Sequence, residues 1–85
     1  MVERERSYRG ISARAAAGYL ERLGGERVEE HVLEGEGWRA SLSEDTVTVG
    51  PSLELTEVTV RFEGEPGVLD GLIEDFSRKA IRAGG

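Results

Sequence analysis

The chain has 85 residues, 38% of them apolar and 33% charged, with seventeen acidic residues against eleven basic ones and a net charge of −6. This length builds one hydrophobic core, so residues 1–85 are expected to form a single domain. The acid excess argues against a nucleic-acid partner, which is held through Lys and Arg on phosphates, and the absence of cysteine excludes disulfides, thiolate metal sites and a thiol nucleophile.

The opening VERERSYRG alternates poorly and is expected as a charged edge strand or loose arm. The next stretch, ISARAAAGYLERLGG, predicts a helix. Ser12 is its N-cap, Ile11 and Ala16 a hydrophobic staple, and Gly24 its C-terminal cap. Ala16, Tyr19, Leu20 and Leu23 fall at helical spacing, and the Ala-Ala-Ala-Gly surface suits close packing on a sheet. Four strand-like runs follow. ERVEEHVLE places Val28 and Val32 on one face, and WRASLS sends Trp38, Ala40 and Leu42 inward with Arg39, Ser41 and Ser43 outward. A turn at SEDT then leads to TVTVG, with Val47 and Val49 inward. In LELTEVTVRFEG the apolar positions change parity between Leu55 and Val58, which predicts a bulge near Thr56–Glu57.

The closing segment, EPGVLDGLIEDFSRKAIRAGG, predicts a long helix with Pro66 at its first position. Leu69, Leu72, Ile73, Phe76 and Ala80 form one apolar stripe. Glu74–Arg78 and Asp75–Lys79 are favourable four-residue pairs, and Asp70 lies near the positive end of the helix dipole. The expected fold is therefore α+β: strand, helix, four strands, helix, in a curved antiparallel sheet with both helices on one face. The opposite face carries Arg39, Ser41, Thr46, Thr48, Thr59 and Arg61 and is free to meet water or a partner.

GISARAAAGYLERLGG, GWRASLSEDTVTVGPSLELTEVTVRFEGEP and FSRKAIRAGG together resemble the C-terminal domain of MoaD-related proteins, over nearly the whole chain. That resemblance implies a TATA-binding-protein-like fold, a place near molybdopterin biosynthesis, and a MoaD-type carrier as partner. It does not imply DNA binding, because fold alone does not carry function. The final Gly84–Gly85 resembles the ends of ubiquitin-like sulfur carriers and small archaeal modifiers. In those proteins an ATP-dependent activating enzyme adenylates the terminal carboxylate in a channel that admits only slim residues. The rest of the chain departs from them: a ubiquitin-like fold opens with a hairpin and ends on a strand, whereas here a helix comes early and another comes last. The pair has a second reading, as the cap and end of a helix.

Lysine occurs only at Lys79, against ten arginines. Acid excess with scarce lysine is the pattern of halophilic proteins, and GC-rich codon usage produces the same bias. No catalytic constellation is present: Ser7, Ser12, Ser41, Ser43 and Ser77 have no base nearby in the pattern. His31 is the lone histidine, and Glu29, Glu30, Glu34 and Glu36 read as a solvated rim, so no metal or cofactor is expected. The stretch EGEGW reads as a turn between strands, since its glutamates would repel phosphate. No run approaches a membrane span, and MVERERS is no signal peptide, so a cytoplasmic protein without a membrane partner is expected. The residues expected to matter are Gly84 and Gly85 for C-terminal activation, and Arg39, Ser41, Thr48, Thr59 and Arg61 for a partner.

Overall fold

The computed structural model describes residues 1–84, with side chains through Ile81. In chain order the elements are β1 (Val2–Arg9), α1 (Ala13–Arg22), β2 (Glu26–Glu29), β3 (Val32–Gly35), β4 (Trp38–Thr48), β5 (Glu54–Gly64) and α2 (Pro66–Gly84). The strands form one antiparallel sheet in the order β1-β5-β4-β3-β2. This is the α+β order expected, but two of its strands arise differently.

ERVEEHVLE is a hairpin, not one strand. It turns at Glu30–His31 and pairs Glu26 with Glu34 and Arg27 with Leu33. The residue it sends into the core is Leu33, fully buried, while Val28 is 46% exposed and Val32 pairs across from Ser41 on the other face. Conversely, SEDT is not a turn. β4 runs through it without interruption, pairing Asp45 with Glu57, Thr46 with Thr56 and Val47 with Leu55. Glu44 has a local reason to stay extended there: its Oε1 accepts a 2.8 Å hydrogen bond from the Ala13 N–H at the start of α1.

The expected bulge is also absent. Partners shift evenly from Trp38↔Gly64 to Thr48↔Glu54, so β5 never changes face. The inference failed because it required every apolar residue to face one core. Even positions Val58, Val60 and Phe62 are fully buried; Leu53 and Leu55 lie on the opposite face, Leu53 at 56% exposure. Since β4 is continuous, Val47 and Val49 share the face of Arg39 and Ser41, and are not inward as expected.

The caps of α1 follow the sequence. Ser12 Oγ accepts from the Ala15 N–H at 3.1 Å. At the other end Gly25 N–H donates to Leu20 C=O (2.9 Å) and Gly24 N–H to Glu21 C=O (3.1 Å). With φ +102° at Gly24, these two bonds make a Schellman motif. Ala13, Ala16, Ala17 and Leu20 form the buried face. Gly18 is not part of the close approach, since a Cβ there would meet nothing within 4 Å.

α2 begins at Pro66 as expected, and buries Leu69, Leu72, Phe76 and Ala80. Phe76 is the hub of the core. Its ring meets Tyr8 of β1 at 5.1 Å, Phe62 of β5 at 6.0 Å and Tyr19 of α1 at 6.3 Å, all edge to face. Such pairs contribute about 0.5–1.5 kcal/mol each beyond their buried area. Tyr8 also ties β1 to α2 through a 2.7 Å hydrogen bond between its hydroxyl and that of Ser77. The Glu74–Arg78 pair forms at 2.6 Å but is exposed, whereas no Asp75–Lys79 bridge occurs among the described residues. Asp70 pairs with Arg4 of β1 at 3.3 Å.

At the β3–β4 end of the sheet the core is closed by Trp38, 7% exposed. Its indole lies across Gly35, its cross-strand partner, and reaches Gly25 at the end of α1. A methyl group at either glycine would occupy ring space, so bare backbone is what lets this ring lie flat.

Candidate functional site

Both helices cover the face of Trp38, Ala40, Leu42, Val58, Val60 and Phe62, leaving the opposite face of the sheet open. The register assembles that face in rows. One row runs Glu3, Glu63, Arg39, Glu34; the next runs Glu5, Arg61, Ser41, Val32; a third runs Ser7, Thr59, Ser43; a fourth runs Arg9, Glu57, Asp45. Arg39, Ser41, Thr59 and Arg61 are thus brought together, with Ser41 directly opposite Arg61.

Thr48 is not with them. It is an even position on the unbroken β4, in phase with Leu42 and Glu44, and it lies near the hairpin tip paired with Glu54. Thr46 has the same phase. Their expected place rested on the turn at SEDT, which would have reset the alternation.

Neither arginine of the group stands free. Arg39 Nη1 lies 3.5 Å from Glu34 Oε2, and Arg61 Nε lies 3.4 Å from Glu3 Oε1. Arg9 likewise meets Glu57 at 3.4 Å. These pairs are roughly half exposed, so each contributes at most about 1 kcal/mol and is screened by salt. Their main effect is on charge. With the arginines matched, Glu5, Glu63 and Asp45 leave the face acidic, which suits a basic partner rather than an anion.

Between β1, β4 and β5 lies a shallow hollow of about 240 Å³ lined by Glu5, Ser41, Ser43, Thr59 and Arg61. The Ser7 and Thr59 hydroxyls close one side at 3.2 Å. Small-molecule sites enclose roughly 300–1,000 Å³ with apolar walls. This one is smaller than that range.

The sequence reading missed the apolar end of the same face. Val47 pairs with Leu55, and beyond them Val49 N–H donates to Leu53 C=O at 2.9 Å. These four residues lie past the end of β1's pairing with β5, on a two-stranded arm. The signal was the parity change in β5, which marks an apolar patch on the second face rather than a bulge.

At the other candidate position, Gly84 is the last residue of α2, and Gly85 lies outside the described residues. His31 is exposed in the β2–β3 turn, and among the described residues no group of three or more His, Asp or Glu is placed to hold a metal ion. No helix among them is long and apolar enough to cross a membrane. In comparison with known proteins, a family model described as archaeal MoaD-like protein matches residues 4–85. No curated protein matches the sequence.

Proposed function

The chain belongs to the archaeal MoaD-like protein family, and from that premise we propose that it is a non-enzymatic carrier or accessory protein of a ubiquitin-like sulfur-transfer system. Molybdopterin biosynthesis is one destination of such sulfur. The observation that carries the reading is the closing Gly84–Gly85 on a chain that the family matches to its last residue.

In this reading the Gly85 carboxylate attacks the α-phosphorus of ATP in an activating enzyme, releasing pyrophosphate and forming an acyl-adenylate. A sulfide-level sulfur nucleophile then adds to the acyl carbon and AMP leaves, giving a terminal thiocarboxylate. A lysine amine in place of sulfur gives an amide bond to another protein. Gly84 serves as the slim approach, because the absence of Cβ lets backbone enter a narrow channel. The open sheet face, with Arg39, Ser41, Thr59 and Arg61, is the surface offered to the activating enzyme.

The test is incubation with the cognate activating enzyme, ATP and a sulfur donor, followed by intact-mass measurement. The expected product has one oxygen replaced by sulfur, and deletion of Gly84 and Gly85 abolishes it. Absence of adenylate, thiocarboxylate and conjugate, while a control carrier reacts, refutes the proposal.

A second reading is favoured by one observation, the convergence of Arg39, Ser41, Thr59 and Arg61 on an uncovered face. Here the chain is a binding module for a MoaD-type carrier, and the glycines only end α2. Titration with such a carrier domain, followed by NMR, separates the two. Binding that survives loss of Gly84 and Gly85 but is abolished by Arg39→Glu or Arg61→Glu supports the module; silence of both arginine changes refutes it.

A further inference from the structure

Among the described residues β2, β1 and the outer part of β4 each present free edge, and they differ in how they treat a second copy of the chain. β2 is short, charged at Glu26, Arg27 and Glu29, and irregular between Arg27 and Glu29. β1 carries Glu3, Arg4, Glu5 and Arg6 in succession. A two-fold axis places residues of the same parity opposite each other. The two most fully overlapped registers of β1 therefore set Arg6 against the partner's Arg6, or Arg4 against the partner's Arg6 and Glu5 against the partner's Glu5. Charge and irregularity are the ordinary means of blocking an edge.

The third edge carries charge only at one end, at Glu44 and Asp45. β3 pairs only with Trp38–Ser41, and Leu42 N–H donates to His31 C=O at 2.8 Å. Among the described residues no strand pairs with β4 on that side from Ser43 to Thr48. The direction of the Leu42 bond fixes the phase: Glu44, Thr46 and Thr48 turn their N–H and C=O groups outward. This arm also holds the longest uncharged run of the chain, TVTVGPSL at residues 46–53. Its β-branched residues suit strand pairing, and Val49 and Leu53 are 38% and 56% exposed.

We infer that the β4 edges of two copies pair antiparallel across a two-fold axis, with Val47 opposite the partner's Val47. Thr46 then faces the partner's Thr48, and each such pair exchanges both backbone hydrogen bonds. On the open face the row Leu55–Val47 continues into the partner's Val47 and Leu55, joining two small apolar patches. Asp45 falls opposite the partner's Val49, so the register sets no like charges directly against each other. A second copy is the occupant because the strand is self-complementary in this register. The interface goes beyond the carrier reading and does not depend on it. Each copy carries −6, so the association strengthens as salt screens the repulsion.

Sedimentation of the full chain, from micromolar to about millimolar concentration in about 0.1 M and about 1 M salt, tests this. The expected result is a monomer–dimer equilibrium shifted toward dimer by salt, with Thr46 and Thr48 amides exchanging more slowly as concentration rises. Val47→Lys sets two positive charges face to face. Thr48→Pro removes an outward N–H without touching the β4–β5 ladder. Each variant, with the wild-type circular dichroism spectrum, is expected to weaken association at least about tenfold, the 1.4 kcal/mol step of affinity. A monomer under every condition, a dimer that both variants leave intact, or amides of Thr46 and Thr48 indifferent to concentration overturns the inference.

Discussion

Replacing Gly35 with alanine tests how the Trp38 end of the core is built. The backbone of Gly35 does not have positive φ, so alanine fits its conformation. The conflict is with the ring alone: an added Cβ would come within 2.5 Å of Trp38 Cζ2 and closer still to Cε2 and Nε1. Gly25 also lies close to the ring, since a Cβ built there would be 2.6 Å from Trp38 Cη2, so little room is left for the ring to shift within its site. The ring must swing out of a site where it is 7% exposed. Losing the packing of a buried aromatic costs about 3–5 kcal/mol, against about 4–13 kcal/mol for a domain of this length at typical stability per residue. At about 4–8 °C per kcal/mol, the melting temperature should fall by at least about 12 °C. Trp38 is the sole tryptophan, so its emission reports the event directly and should shift to the red. In a Trp38→Ala background Gly35→Ala should cost almost nothing, since no ring remains to displace. Wild-type melting and emission in Gly35→Ala, or an equal loss in both backgrounds, would refute the reasoning.

Gly18→Ala and Gly71→Ala should do the opposite, because a Cβ at either helical position meets nothing within 4 Å and neither has positive φ. Each is expected to add up to about 1 kcal/mol, read as a rise of roughly 4–8 °C in the thermal midpoint; no gain at either site would contradict the placement. Ser12→Ala removes the bond to the Ala15 N–H and Glu44→Ala the bond to the Ala13 N–H, each costing about 1 kcal/mol in urea unfolding. An unchanged urea midpoint for Glu44→Ala would mean that the strand-to-helix bond does not stabilise α1.

Where local chemistry decides a feature, the sequence disclosed it. Ser12 and Gly24 set the ends of α1 by satisfying particular N–H and C=O groups, and Pro66 set the start of α2. The stripe from Leu69 to Ala80 needed only helical spacing. The strands were less legible because pairing partners decide them. Nothing at Glu30–His31 advertises a turn, having neither glycine nor proline nor asparagine, yet β3 must double back there to bring Leu33 under α1. SEDT has turn composition, but Glu44 is held by Ala13 and Asp45 by the β5 ladder. The supposed turn at SEDT changed parity, so Thr46, Val47, Thr48 and Val49 were assigned to the wrong faces together. Arg39, Ser41, Thr59 and Arg61 were placed on the open face correctly because each lies in a stretch whose phase is fixed by a buried neighbour. The ion pair of Arg61 with Glu3 joins opposite ends of the chain and left no trace in local sequence, whereas that of Arg39 with Glu34 crosses the short β3–β4 hairpin.

The pairing of β1 with β5 joins residues 48 to 62 positions apart, from Arg9↔Glu57 to Val2↔Gly64. During synthesis at about 5–20 residues per second, β1 therefore leaves the ribosome roughly 3–11 seconds before its neighbour exists. Such non-local closure also slows folding, because its loop entropy is lost before the contacts form. Over that interval the alternating Glu and Arg of β1 keep a lone strand hydrated and unattractive to other nascent chains. The charges that looked like poor strand material are what allow the first strand to wait.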